Sequence, residues 1–317
     1  MSHFVQLPLF SESAHTKCPI PKPVNVASVP QRSPFRYPGG KTWFVPAFRK
    51  WIASLPSKPT LLIEPFAGGG IISLTALFET LVERVVMVER DEEIAAVWQS
   101  VINGDADWLA QRILHFDLTK ETVIEEIKKK PEDLKQMAFQ TILKNRTFHG
   151  GILAEGSGFL KHGENGKGIR SRWYPTTLAR RFLTLNYVAN RIDFRCDDGL
   201  KVMQEFISRP DVVFFIDPPY TAGGKKAGKR LYKYSEIDHE ALFSICQALT
   251  GDFIITYDNA EEVKELARTY GLQMKLIAMT NTHNAEMKEL VIGKNLSWMG
   301  NAPVVREKRG RYGAKQD

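Results

Sequence analysis

Val212-Val213-Phe214-Phe215-Ile216-Asp217-Pro218-Pro219-Tyr220 is the stretch whose reading decides the fold. Five apolar residues in unbroken succession predict a strand buried on both faces, and the two prolines end it abruptly because proline cannot continue a central ladder. An acid, a bare carbonyl and an aromatic ring then project from the strand's carboxyl end, the edge at which open parallel sheets bind ligands. An isolated Asp-Pro-Pro-Tyr reads equally well as an ordinary proline turn, so the functional reading depends on what the rest of the chain supplies.

Upstream, Leu61–Glu64 reads as a short buried strand, and Pro65-Phe66-Ala67-Gly68-Gly69-Gly70 leads directly into a helical pattern over Ile71–Leu81. Glycines there let a ligand approach the backbone at a positive helix end. The spacing is neither the Gly-x-Gly-x-x-Gly dinucleotide fingerprint nor a P-loop. A second strand, Val85–Val88, ends in Glu89, about twenty residues past the glycine loop, where an acid accepts hydrogen bonds from ribose hydroxyls; a surface Glu at a strand end is the plainer alternative. Helical patterns follow over Glu92–Val101, Trp108–His115 and Thr122–Lys129, then from Pro131 at a first helical position to Lys144, and from a Thr176 cap to Asn190. Ile192–Cys196 is a strand ending in Asp197-Asp198-Gly199. After Tyr220, helices over Asp238–Leu249 and Glu261–Tyr270 alternate with strands Asp252–Tyr257, Leu272–Met279 and Glu289–Gly293. Such alternation predicts an α/β fold, a doubly wound and mostly parallel sheet with an antiparallel terminal hairpin.

The 317 residues, 43% hydrophobic, suffice for one large domain and a smaller one. No apolar run reaches membrane-spanning length, and Met1-Ser2-His3-Phe4 lacks the basic region of a signal peptide, so a cytoplasmic protein with no membrane partner is expected. Cys18, Cys196 and Cys246 lie far apart and the seven histidines fall at no ligand-like spacing, so no metal is expected.

The net charge of +7 is unevenly spread. Between Lys144 and Arg195 ten Lys/Arg face three acids, and in the glycine-rich stretch from Asn145 to Trp173 the residues Arg146, His149, Lys161, His162, Lys167, Arg170 and Arg172 are interleaved with Phe148, Phe159 and Trp173. Basic groups on such a hairpin or loop suit phosphate contact and groove insertion; the bland alternative is a solvated basic loop. Gly223–Tyr234 carries Lys225, Lys226, Lys229, Arg230 and Lys233 without an acid, a loop suited to clamping a phosphate backbone.

Taken in order, Tyr37-Pro38-Gly39-Gly40-Lys41, Glu64-Pro65-Phe66-Ala67-Gly68-Gly69-Gly70, Glu89, Asp197 and Asp217-Pro218-Pro219-Tyr220 resemble the Dam-type (D12 class) adenine-specific DNA methyltransferases. The resemblance runs from about Phe35 to Asn295. It implies a Rossmann-like methyltransferase fold with an inserted, smaller DNA-recognition domain. The corresponding divisions are a leader (1–33), a catalytic domain (34–130 and 191–296), a helical and hairpin recognition insert (131–190) and a basic tail (297–317). It further implies S-adenosylmethionine as cofactor. Tyr37 and Lys41 would lie near its methionine and adenosyl portions, Glu64, Phe66, Gly68 and Gly70 at the cradle, Glu89 on the ribose and Asp197 at the adenine edge, where Asp198 is an equal candidate. Asp217 would touch both cofactor and substrate.

The implied substrate is double-stranded DNA, contacted by Arg146, His149, Lys161, Arg170, Arg172, Lys225 and Lys226. His149, Gly151 and the loop to Trp173 depart from the family's pattern, which leaves the target sequence open. An adenine amino group is a poor nucleophile because its lone pair is conjugated into the ring. The Asp217 carboxylate and the Pro218 carbonyl, held in the stiff turn of Asp217-Pro218-Pro219-Tyr220, would accept its two hydrogens, and Tyr220 would offer a face on which the extruded base stacks. The rival readings are a methyltransferase for exocyclic amines of RNA and a non-catalytic DNA-binding protein. The chain is expected to be a monomer, and Gln6, Leu7, Leu9 and Phe10 resemble the short peptide by which bacterial proteins grip the sliding clamp.

Overall fold

The computed structural model describes residues 28–37, 39–154, 156–163, 166–220, 233–234, 236–280 and 286–300. The Gln6–Phe10 peptide, the Lys225–Lys226 pair and the tail from residue 301 onward lie outside the described residues.

Seven strands form one sheet: β1 (Leu61–Glu64), β2 (Arg84–Val88), β3 (Ile192–Arg195), β4 (Val212–Ile216), β5 (Phe253–Asp258), β6 (Gln273–Thr280) and β7 (Glu286–Gly293). Their order is β3-β2-β1-β4-β5-β7-β6. The first five run parallel, while β7 enters antiparallel between β5 and β6. This is the expected doubly wound sheet with its terminal hairpin. All five residues of β4 are buried, and their period-2 alternation divides them between two cores. Val213 and Phe215 face a core that contains Phe44, Trp51, Trp98 and Phe139. Val212, Phe214 and Ile216 face another that contains Met203, Phe243 and Tyr257.

The helices covering the sheet are α1 (Val45–Ser54), α2 (Ile71–Phe78), α3 (Glu92–Ile102), α4 (Ala106–His115), α5 (Lys120–Lys128), α6 (Leu134–Thr147), α7 (Pro175–Leu185), α8 (Gly199–Glu205), α9 (His239–Ala248) and α10 (Glu261–Thr269). Helices α6 and α7, from the basic segment, bury Phe139, Ile142, Phe182 and Leu185 in the first core, alongside α3 and α4. Among the described residues no helix is long and apolar enough to cross a membrane.

Several boundaries differ from the sequence reading, each for a local physical reason. α6 begins at Leu134 rather than Pro131, since the Asp133 carboxylate accepts the Gln136 N–H at 2.9 Å. α5 begins a residue past Thr119, which forms a reciprocal capping box with Thr122. α7 opens on Pro175 and stops at Leu185, so Thr176 lies within its first turn. β7 extends back from Glu289 to Glu286 because β6 pairs with its whole length. The hairpin expected within the insert is a single antiparallel bridge, Phe148 to Phe159, whose rings meet edge-on at 5.1 Å.

Candidate active site

The antiparallel course of β7 brings its first half to the carboxyl edge of the parallel strands, where Glu289 pairs in register with Asp258 at the end of β5. Asp217 leaves β4 at the same edge. Its Oδ1 accepts three hydrogen bonds: from Lys41 Nζ at 2.9 Å, Tyr220 Oη at 3.0 Å and Thr256 Oγ1 at 2.9 Å. Lys41 is only 4% exposed, and its ammonium also donates to the Gly39 carbonyl at 2.9 Å. Burial works against that charge most strongly, but the carboxylates of Asp217, Glu289 and Glu64 together more than compensate and hold Lys41 above the usual ammonium value. The glycine turn before Lys41 thus serves to thrust a buried cation onto the carboxylate of another motif.

Tyr220 lies at this edge, half-buried. Its ring stacks on Tyr257 at 4.9 Å with 24° between planes, and the Lys41 ammonium sits 5.0 Å from the ring centroid. Tyr257 thus covers one face of a half-buried ring, and the Tyr220 hydroxyl joins the polar network, reaching Glu289 Oε2 at 3.0 Å as well as Asp217. Burial, then the two carboxylates, push the phenol well above its ordinary value. The Pro219 carbonyl accepts from Tyr257 Oη at 3.2 Å, and Pro218 is buried.

Beside this network lies a cavity of about 950 Å³ lined by the glycine loop and the ends of the strands. Gly68 (φ +47°) and Gly70 (φ +61°) are required there: a Cβ on Gly68 would come within 2.5 Å of the Tyr37 ring, and one on Gly70 within 2.4 Å of Met87 Cε. Tyr37 therefore lies directly on the loop backbone. Glu64, 3% exposed, accepts the Ser73 N–H at 3.0 Å, and burial pushes its carboxyl up to about 8. Glu89 accepts from the N–H groups of Gly68 (3.0 Å), Arg90 (2.8 Å) and Asp91 (3.0 Å), so it also locks the loop; burial still raises it to about 7. Phe66 lines the cavity, as do both Asp197 and Asp198. Asp198 caps α8 through Leu200 N–H at 2.8 Å, whereas Asp197 makes an i,i+4 ion pair with the exposed Lys201.

Lys233 and Tyr234 also line this cavity and are both tied to Glu92 at the start of α3, at 2.9 and 2.8 Å. Carboxylates and an aromatic wall suit a ligand carrying positive charge, hydroxyls and an apolar ring. That donor set fits S-adenosylmethionine.

The residues expected to meet DNA divide into two groups. His149, Lys161 and Arg170 stand exposed, Arg170 also donating through Nε to the Leu118 carbonyl at 2.9 Å, and Arg172 is half-buried. Arg146 is not exposed. It is 6% accessible, with its guanidinium donating to the Pro34 carbonyl, and burial together with Arg181, Arg36 and Arg172 pushes its pKa down to about 9. The neighbouring Asn145 explains this: its amide accepts the Arg36 N–H and donates to the Arg36 and Gly151 carbonyls, each at 2.9 Å, clamping the N-terminal motif to the end of α6.

Thr256, Tyr257 and Glu289 were not foreseen as site residues. For Thr256 and Glu289 a signal existed, a polar residue at a buried strand position, but their relation to Asp217 comes only from the sheet order.

Comparison with solved structures finds the rRNA methyltransferase aviRa from Streptomyces viridochromogenes, at 14% identity and a TM-score of 0.38 over 81% of this chain and 85% of that one. An rRNA methylase from Streptococcus thermophilus is similar at 11% identity and a TM-score of 0.33, over 80% and 96% of the two chains. Among curated protein sequences no significant match was found. The family model for D12 class N6 adenine-specific DNA methyltransferases matches residues 37–282, from the tyrosine that covers the glycine loop to beyond the Asp217 motif, and the chain belongs to that family.

Proposed function

We propose that this methyltransferase transfers a methyl group from S-adenosylmethionine to N6 of an adenine flipped out of double-stranded DNA. The observation that carries the reading is the convergence of Lys41, Tyr220 and Thr256 on one oxygen of Asp217. Three donors exhaust the accepting capacity of Oδ1, and among the described residues no donor reaches Oδ2. Asp217 lines the cavity; its second oxygen accepts one amino hydrogen of the base, and the Pro218 carbonyl accepts the other. The two bonds draw the nitrogen lone pair out of conjugation and stabilise the positive charge that develops on nitrogen.

S-adenosylmethionine supplies an electrophilic sulfonium methyl when bound. The chain's part is to hold it: Glu64, Phe66, Gly68 and Gly70 along the loop, Tyr37 across it, Glu89 at the ribose hydroxyls and Asp197 at the adenine edge, Asp198 being committed to its helix cap. A target inside a duplex stack is out of reach of a strand-end carboxylate, hence the extruded base. The exposed His149, Lys161 and Arg170 supply contacts to the phosphate backbone. Tyr220 acts by positioning Asp217.

The test is transfer of a labelled methyl group to unmethylated duplex DNA and, in parallel, to structured RNA. Label is expected in the DNA; label in RNA alone would favour the RNA reading, and no cofactor binding by calorimetry would favour a purely DNA-binding protein.

A further inference from the structure

Tyr220 sets a problem of proton count. Its hydroxyl oxygen lies 3.0 Å from Asp217 Oδ1 and 3.0 Å from Glu289 Oε2, yet a phenol has one proton to donate. Asp217 Oδ1 is the better ionised partner because Lys41 and Thr256 donate to it as well. Glu289 has the Lys41 ammonium at 3.9 Å, beyond hydrogen-bond reach, and is 9% exposed. Two bare carboxylates around one hydroxyl would leave a buried oxygen pair with no proton between them, a costly arrangement. One proton on Glu289 closes the count: Glu289 donates to the Tyr220 oxygen, and Tyr220 donates to Asp217 Oδ1.

We propose that Glu289, held as the neutral acid, is a positioning residue for methyl transfer, which through the Tyr220 hydroxyl keeps the third donor on Asp217 Oδ1 and reserves Oδ2 for the adenine amino group. The proposal rests on Asp217 being the acceptor of that group, as argued above. Glu289 lies beyond the residues matched by the family model, and it reaches the site only because β7 runs antiparallel beside β5.

The charged and titratable groups facing it are Lys41 from the glycine turn, Asp217 and Tyr220 from the end of β4, and Asp258 from β5; its neighbour on β6 is the apolar Ile277. Burial raises the Glu289 carboxyl above the usual range against the pull of Lys41, and the Asp217 charge adds to the rise. Once pH exceeds that raised value, the ionised Glu289 draws the Tyr220 proton to itself and Asp217 loses a donor. Transfer then slows on the alkaline side.

The experiment compares full-length wild type, Glu289→Gln and Glu289→Ala on unmethylated duplex DNA of mixed sequence, recording kcat across pH, with S-adenosylmethionine affinity by calorimetry for each. Gln donates through its amide as the neutral acid does, so E289Q should keep most of kcat and lose the alkaline decline. E289A should lose about tenfold in kcat, the effect of one misdirected hydrogen bond, with cofactor affinity little changed. Equal losses in E289Q and E289A, or an alkaline limb that persists in E289Q, would overturn the proposal. Infrared spectra of wild type minus E289Q give a second readout: a protonated-carboxyl band beyond those that Glu64 and Glu89 contribute to both proteins is expected, and its absence from the difference would overturn the proposal. Full activity in Asp217→Ala would instead overturn the underlying reading of the site, whatever the Glu289 variants do.

Discussion

The carboxyl edge of the sheet and the basic insert handle buried charge in opposite ways. At the sheet edge Lys41 is buried against Asp217, with tyrosine and threonine hydroxyls filling the remaining positions. In the insert Arg146 is as deeply buried, but the charges that press on it are other arginines, and its guanidinium donates to the neutral Pro34 carbonyl. The first region is electrostatically complete before substrate arrives, as a site that must aim one oxygen requires. The second keeps an excess of positive charge, which in the proposed function the phosphates of DNA balance. Chemistry here is preorganised by strands, and recognition is completed by its ligand.

That contrast is broken most severely at Asp217. Asp217→Ala and Asp217→Asn should each lower kcat by about a thousandfold or more, with the fold retained, since both remove a charged acceptor at a strand end. Steady-state kinetics beside circular dichroism would check this; a loss of folded signal equal to the loss of activity would show that the network is structural instead.

Next in size is the clamp between the two regions. Asn145→Ala deletes three buried hydrogen bonds to Arg36 and Gly151 and should cost about 2 kcal/mol or more in urea unfolding. Activity should fall with it, because the same segment carries Tyr37 and Lys41.

Glu89 sharpens the comparison through pH. With its carboxyl at about 7, the ionised form, which in the proposed function accepts ribose hydroxyls, grows in as pH rises from below to above that value. S-adenosylmethionine affinity should therefore increase with pH across this window, by up to about tenfold per unit, and Glu89→Gln should flatten the dependence. Calorimetry at pH 6 and pH 8 suffices.

The smallest effects belong to the insert's exposed cations. Lys161→Ala and Arg170→Ala should each weaken DNA binding less than tenfold, about equally on all sequences, and each should reduce the salt slope of log affinity by about one. A sequence-dependent loss from either would make it a base reader.

The strands β1, β2, β4 and β5 were legible because each is a short apolar run ending in or followed by an acid, and burial on both faces leaves little else for Val212–Ile216 to be. The carboxylates at those ends were legible for the same reason. What could not be read was contact between distant segments. Lys41 meets Asp217 across 176 positions only after the sheet is assembled, and Glu289 joins them only because β7 is slotted beside β5. The burial of Arg146 was equally hidden, since a basic segment gives no local sign of which cation turns inward. Tyr220 shows the same gap: its motif gave an aromatic at the strand end, while Tyr257, which covers its face, comes from the next strand over.

The most direct test of the central claim is nucleoside mass spectrometry on duplex DNA incubated with S-adenosylmethionine and either wild type or Asp217→Ala. The account predicts N6-methyladenine with wild type and none above background with the variant. Equal N6-methyladenine from both proteins, or methylation confined to another base, would contradict it.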